Sequence, residues 1–405
     1  MTFAFLAVVA LNAAVRVWLS RRQERCVLAH RNEVPAAFQG RIPLDAHCKA
    51  ADYTIAGTRF GRIYMAASLL LLLAWTVGGG MDLLAGYFDH GSILGGAAFL
   101  LTALVLAAVP TLPLDIYDTF VLEERFGFNR MTPGLYVADL FKGAALALVI
   151  GGPVALGALW IMSSGGAYWW VWLWVGWLAL SVLLAWLAPA VIAPLFFKFT
   201  PLPEGELRER VENLLRRTGY NSDGVFQMDG SRRSSHSNAF FTGFGRTKRV
   251  VLFDTLCELL PLEELEAVLA HEIGHFRRKH ILRRMAVSAI EVFAALALFA
   301  WLKQTSWFQS GLGVTHASDA TALLLLMWVG PYFAFPLRPL WSYWSRKQEF
   351  EADEFAVEET SAPAMIGALV KIYEQNAATL TPDPLHSAYY DSHPPAALRI
   401  AAIQK

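Results

Sequence analysis

The 405-residue sequence predicts a mainly α-helical, polytopic membrane protein with about seven transmembrane helices and one extramembrane domain carrying a small β-sheet. Three observations carry that prediction. Mean hydropathy is +0.40. Hydrophobic residues make up 55% of the chain and charged residues 17%, against about 25% charged in ordinary soluble domains. Apolar runs near 20 residues, the length that crosses the hydrocarbon core, alternate with charge-rich stretches, and Lys and Arg crowd onto every second connection.

The apolar runs lie roughly at Thr2–Leu19, Ile63–Leu84, Ile93–Leu114, Val137–Met162, Tyr168–Pro194, Met285–Leu302 and Ala322–Trp341. The first lacks the basic start and small-residue cleavage site of a signal peptide. It contains Asn12 and Arg16 and runs into "RRQER", so it is read as a retained helix. The connections after the first, third, fifth and seventh runs hold nearly all the cations, among them "SRRQER", "GRTKRV", "HFRRKH" and "SRK". The others ("GGGMDLLAGYFDHGS", "SSGGAY", "KQTSWFQSGLGVTHASDA") hold only Lys303. The positive-inside rule then predicts an N-terminus that is outside or lumenal and a cytoplasmic C-terminus. The Trp-rich start of the fifth run, "YWWVWLWVGW", fits an aromatic belt at the outer interface.

Two regions follow. Residues 1–198 form an N-terminal transmembrane region of five helices. Residues 199–405 form a second unit, interrupted by transmembrane helices at about 285–302 and 322–341. Lys+Arg and Asp+Glu both number 34, giving zero formal charge, so nothing points to nucleic acid as a partner. The three cysteines, Cys26, Cys48 and Cys257, lack zinc-knuckle or CxxC spacing, which suits a reducing face and argues against a disulfide framework.

The chemistry is concentrated in "AVLAHEIGHFRRKH", between the fifth and sixth runs. His271 and His275 are four residues apart, so on a helix both imidazoles reach one ion from one face. Glu272 is placed to take a proton from water beside that ion. The preceding "PLEELEAVLA" starts with Pro261 and acidic residues, as helix starts do. Catalytic zinc needs a third protein ligand and one open position. In "SRKQEFEADEFAVE", Glu349 and Asp353 share a helix face; one can bind the ion and the other can steady a ligand imidazole. Glu351 points elsewhere on that helix. Alone, such an ExxxD pattern reads as a solvated acidic helix; beside HExxH in the same compartment it reads as part of a metal site. "SNAFFTGFG" followed by "RTK" and "RVVLFD" reads as two strands joined by a turn. His236 and His280 lack ligand spacing and are read as surface histidines.

"AHEIGH", "SRKQEFEADEFA" and "SHPPAALRI" together resemble the type I CAAX prenyl proteases, membrane-integral zinc endopeptidases. The segments "YDTFVLEERFGFN", "APLFFKFTPLP" and "RSSHSNAFFTGFGRTKRVVLFDTL" extend the likeness, in that family's order, over almost the whole chain. Only the first loop, about Arg21–Gly57, is weakly distinctive. The resemblance implies a gluzincin-like protease domain holding one Zn2+ through His271, His275 and Glu349, with Glu272 as general base and Asp353 behind a ligand. Its HPxxxxR motif maps onto His393 and Arg399. There it implies that the histidine steadies the tetrahedral intermediate and that the arginine supports the site, and it assigns Asn238 to holding the substrate backbone.

The family further implies a chamber enclosed by the helices and a peptide or protein substrate, lipidated at its C-terminus, from which three residues are removed. A substrate anchored by a prenyl group explains why a protease would stand at a bilayer surface. The protein would then be an endoplasmic reticulum enzyme in a eukaryote and an inner-membrane enzyme in a bacterium. A membrane quality-control protease of the HtpX type, without a prenyl requirement, is the alternative; it shares the zinc motifs but is shorter, with fewer spans. A transporter with a structural metal fits less well, because structural zinc is usually enclosed by four protein ligands and few ionisable residues line the spans.

Overall fold

The computed structural model describes residues 1–89, 91–220, 222, 224–242 and 249–405. Seven helical segments are long and apolar enough to cross a membrane: Thr2–Ala29, Leu44–Trp75, Ile93–Phe126, Pro133–Ser164, Gly166–Phe196, His280–Lys303 and Asp319–Glu359. The protein is thus an integral, multi-pass membrane protein. Their principal helices are α1 (Thr2–Ala29), α2 (Leu44–Trp75), α3 (Ile93–Ala108), α4 (Pro133–Ser164) and α5 (Trp169–Leu187) in the first five segments. Between α5 and the sixth segment come α6 (Glu206–Arg217), α7 (Asp254–Leu259) and α8 (Leu262–Arg277). Then follow α9 (His280–Lys303), α10 (Asp319–Ala334), α11 (Arg338–Glu359), α12 (Ala362–Gln375), α13 (Pro384–Tyr390) and α14 (Ala396–Ile403).

Capping defines several starts. Ser92 accepts from Gly95 N at α3, Thr132 from Leu135 N at α4, and Ser318 and Thr321 form a capping box at α10. Such caps satisfy amide donors that a helix start leaves without partners.

The second span differs from its sequence boundary of Ile63–Leu84. It begins near Leu44 and ends at Trp75, because "VGGG" reverses the chain. A Cβ at Gly78 would stand 2.8 Å from the Ala74 carbonyl oxygen, and Gly79 has φ +79°, conformations that glycine permits and other residues resist. The first loop is correspondingly short. Its Phe38 and Ile42 are buried, and they join the core of the extramembrane domain instead of the membrane bundle.

The sheet has four strands, β1 (Phe199–Pro201), β2 (Val225–Met228), β3 (Ala239–Thr242) and β4 (Arg249–Phe253), in the order β1-β2-β4-β3. The two strands expected from sequence are β3 and β4, antiparallel with Ala239 opposite Leu252. The turn expected between them, residues 243–248, lies outside the described residues. β4 is parallel to β2, and β1 is antiparallel to β2. Val250, Val251 and Leu252 of the interior strand β4 are buried, while β3 is an edge strand packed beside α8.

Two cores result. One surrounds α8 and joins the sheet, α6, α12 and α14; the other lies among α1, α3, α4, α9 and α10. Two Gly/Ala-rich runs, residues 95–108 and 143–160, pack differently. Gly96 of α3 meets Leu159 and Ala320, close helix packing of the kind small residues allow, whereas Gly143, Gly152 and Gly157 of α4 face open space.

Two connections position the site. Arg278 and Lys279, the latter at φ +58°, form a two-residue joint between α8 and α9. Pro336 sits in a 3-10 turn, Phe335–Leu337, that carries α10 into α11. At 1.5 Å per residue, Glu349 stands about 12 Å beyond Trp341 along α11. Both helices that hold candidate ligands therefore grow directly out of the last two spans.

Candidate active site

α8 buries Leu265, Leu269 and Ile273 on one side, a spacing of four that keeps them on one face. The crossing with α11 is made at Gly274. A Cβ there would lie 3.1 Å from the Ala352 Cα and 3.2 Å from its carbonyl oxygen. This close approach brings the HExxH face of α8 against the ExxxD face of α11.

His271, His275 and Glu349 each offer a ligand atom, and these atoms lie within 4.8 Å of one another. His271 Nε2 is 3.3 Å from His275 Nε2 and 3.4 Å from Glu349 Oε2. His275 Nε2 is 3.3 Å from Glu349 Oε1. Ligands about 2.0–2.1 Å from a tetrahedral zinc ion stand roughly 3.3–3.4 Å apart, the spacing of the two ring nitrogens from each other and of each from one oxygen of the Glu349 carboxylate, so the three residues fit such an ion. Their chemistry fits too, because a carboxylate and two ring nitrogens facing one point are favoured by a cation there.

Asp353 is buried behind His271, with Oδ1 2.8 Å from His271 Nδ1. Arg399, also buried, donates from Nε to Asp353 Oδ2 at 2.8 Å and from Nη2 to Oδ1 at 2.5 Å. α14 begins after Pro394 and Pro395 and presents Arg399 in its first turn. His393, just before those prolines, is 60% exposed and places Nδ1 2.6 Å from Glu349 Oε2. Its Nε2 is therefore the ring nitrogen left for a substrate. Glu272 is half-buried, and burial raises its carboxyl above the ordinary value, with His271, Glu349, His393 and Arg399 close enough to act on its charge.

Burial disfavours charge on His271, yet its bonds to Asp353 and Glu349 carry it up to about 9. Burial, reinforced by His271, takes His275 down to about 3. Two carboxylates thus draw positive charge toward this point. Arg399 already answers that of Asp353, leaving Glu349 for a cation.

Asn238 stands apart from this cluster, exposed at the start of β3, where its Oδ1 accepts from Ala239 N at 2.8 Å. Its backbone oxygen accepts from Phe253 N at 3.1 Å, which ties it to β4. Asn376 secures the preceding residue: its Oδ1 accepts from Ser237 N at 3.0 Å and its Nδ2 donates to Ser237 O at 3.3 Å. Nothing in "YEQNAATL" signals that role, because the pairing spans 139 residues.

Of the two histidines expected at the surface, both have partners and one, His280, is enclosed. His236 is half-buried and stacks on Phe128 at 4.4 Å, with Nδ1 3.3 Å from Asn376 Oδ1 and Nε2 3.4 Å from Glu123 Oε2. It joins the approach to β3 to the extension of the third span. His280 is 1% exposed, with Nδ1 2.9 Å from His275 Nδ1 and Nε2 3.0 Å from Glu351 Oε2. Ligand spacing failed to find it because the Lys279 joint turns the chain before His280, and helical periodicity does not cross such a joint.

Comparison with known proteins agrees along the chain. Residues 23–198 match the family model described as CAAX prenyl protease N-terminal, five membrane helices, and residues 201–405 match peptidase family M48. A rice (Oryza sativa subsp. japonica) protein named CAAX prenyl protease 1 homolog is 32% identical over 99% of this chain and 96% of its own length. CAAX prenyl protease 1 of Saccharomyces cerevisiae is 36% identical over 74% of this chain and 69% of its own. The crystal structure of S. mikatae Ste24p superposes with a TM-score of 0.92 at 29% identity, covering 99% of this chain and 98% of that one.

Proposed function

Because the chain belongs to peptidase family M48, as a membrane-integral zinc metalloprotease, we propose that it removes the C-terminal tripeptide from proteins prenylated on a CAAX cysteine. The observation that carries this reading is the donor set of His271, His275 and Glu349, on one helix joined by a short turn to a membrane span and on another that continues a span. A site so attached meets a peptide whose lipid is already in the bilayer.

His271, His275 and Glu349 would hold one Zn2+. When bound, zinc supplies Lewis-acid polarisation of the scissile carbonyl and makes nearby water more acidic. Glu272, one residue along α8, takes the proton of the attacking water and returns it to the departing amine. When it carries a hydrogen on both ring nitrogens, His393 gives that of Nδ1 to Glu349 and donates from Nε2 to the oxygen on which negative charge develops, a contribution that grows in a water-poor site. Asp353 accepts from His271 Nδ1 and fixes that ring, and Arg399 pins Asp353 in turn. The outer edge of β3 takes the substrate backbone as an added strand, with Asn238 holding it.

The distribution of Lys and Arg supports an N-terminus outside or in the lumen, with the active site and C-terminus cytoplasmic. The membrane is then the endoplasmic reticulum in a eukaryote or the inner membrane in a bacterium. The deciding experiment follows tripeptide release from a farnesylated CAAX peptide and from the same peptide without its lipid, using purified protein and Glu272→Gln in detergent. Lipid-dependent release abolished by the substitution is expected. Equal release from both peptides would replace this reading with a membrane quality-control protease of the HtpX type.

A further inference from the structure

Behind His275 stands a chain of groups with no part in the reaction described above. His275 Nδ1 faces His280 Nδ1 at 2.9 Å, and His280 Nε2 faces Glu351 Oε2 at 3.0 Å. Arg283 Nη1 lies 3.6 Å from that same oxygen, and the Glu351 side chain is 30% exposed. His280 itself is enclosed, at 1% exposure.

Counting protons leaves one arrangement. A carboxylate only accepts, and a neutral imidazole has one donor and one acceptor nitrogen. Glu351 therefore draws the hydrogen of His280 to Nε2, which leaves His280 Nδ1 as an acceptor. Two ring nitrogens 2.9 Å apart need one hydrogen between them, so that hydrogen is carried by His275 Nδ1. His275 Nε2 is then bare, and it is the atom 3.3 Å from both His271 Nε2 and Glu349 Oε1. The reverse arrangement would aim an N–H at the donor triangle.

We propose that His280 and Glu351 are positioning residues that hold His275 in the tautomer and ring orientation a metal requires. The proposal rests on the metal site assigned above. It also accounts for the difference between the two ligand histidines. His271 is backed directly by Asp353, whose charge is met by Arg399. His275 is backed by a neutral ring, so the charge of Glu351 is kept one ring away from Glu349 and stays near Arg283 and water. Support of this kind behind a ligand imidazole is worth about 10–100-fold in metal affinity.

The test measures Zn2+ affinity of the metal-stripped, full-length protein in detergent by competition with a chromogenic chelator. Thermal unfolding of each metal-free variant is the control. Glu349→Ala comes first: if it binds Zn2+ as wild type does, the metal site itself is wrongly assigned, whatever the remaining variants do. With that site established, Glu351→Ala is expected to weaken Zn2+ binding about 10-fold and His280→Ala about 10–100-fold. Because His280 is enclosed and its variant can fail to fold, the decision rests on the half-exposed position. Glu351→Lys places a donor where an acceptor stood and turns the hydrogen bonds round, so it is expected to bind Zn2+ more weakly than Glu351→Ala. Glu354→Lys makes the same charge change on the same helix at a side chain that is 64% exposed, and should stay within about threefold of wild type. Affinities of Glu351→Ala and Glu351→Lys within threefold of wild type, or a Glu351→Lys loss matched by Glu354→Lys, would overturn the proposal.

Discussion

Gly274 and Ala352 touch backbone to backbone: a methyl on Gly274 would meet the Ala352 Cα at 3.1 Å and the Phe355 Cβ at 3.2 Å. Since Ala352 lies between Glu349 and Asp353, this contact sets how far both carboxylates stand from His271 and His275. Gly274→Ala gains about 1 kcal/mol of helix propensity but forces two backbones apart, at about 1–3 kcal/mol. The expected outcome is a small change in unfolding temperature with a drop in Zn2+ affinity of tenfold or more. Chelator competition beside thermal unfolding checks it, and unchanged affinity would show that the crossing can relax without disturbing the donors.

Arg399 and Asp353 form a buried, two-bonded ion pair. Removing one partner leaves an uncompensated charge in the interior, at about 3–5 kcal/mol. Arg399→Ala should therefore lower stability by that order. Arg399→Lys should recover only part of the loss, because an ammonium cannot reproduce the planar fork. Denaturation in mild detergent measures both; a fully rescuing lysine would mean that charge alone matters here.

Asp383 links the two ends of the chain and carries a pH dependence. It takes Arg22 Nη2 at 2.8 Å and caps α13 through Leu385 N and His386 N, while Gln23 accepts from its backbone amide. Burial raises its carboxyl, but the bonds from Arg22 and the α13 amides outweigh that and hold it below the ordinary value. A lowered folded value stabilises above the unfolded value, and the gain is lost as pH falls through the folded one. Asp383→Asn should cost about 1–2 kcal/mol near neutrality. The gap from wild type should hold down to about pH 4 and close as pH falls further, through the folded value; a gap that persists unchanged well below about pH 4 would assign the loss to packing.

The role proposed for Asn238 predicts an effect on binding without one on chemistry. Its Oδ1 already serves Ala239 N, which leaves the amide nitrogen as the donor for a substrate backbone. Asn238→Ala and Asn238→Asp should both raise KM about tenfold with kcat nearly unchanged, the pattern of lost uniform binding. An aspartate variant with wild-type KM would show that the acceptor is what counts.

Much of this protein was legible in the sequence because its signals are local. Seven apolar segments announce seven membrane helices, and i, i+4 spacing puts His271 with His275 and Glu349 with Asp353 on shared faces. The family likeness named His393, Arg399 and Asn238, which spacing alone could not have joined to the rest. The second helix departs from its apolar run: it starts at Leu44, in residues too polar for a hydropathy window to include, and stops at Trp75, short of Leu84, because "GGG" ends it.

The sequence by itself determined the class of molecule, the donor types and the faces they occupy, since hydropathy and helical periodicity depend on neighbours in the chain. Only the tertiary structure decided the 3.3–3.4 Å triangle of donors, which depends on how closely two helices cross at Gly274. It alone placed Phe38 in the extramembrane core, Asn376 against Ser237, and His280 behind His275. Each of those contacts either joins distant parts of the chain or follows a joint that breaks helical periodicity, and no spacing rule reaches across either.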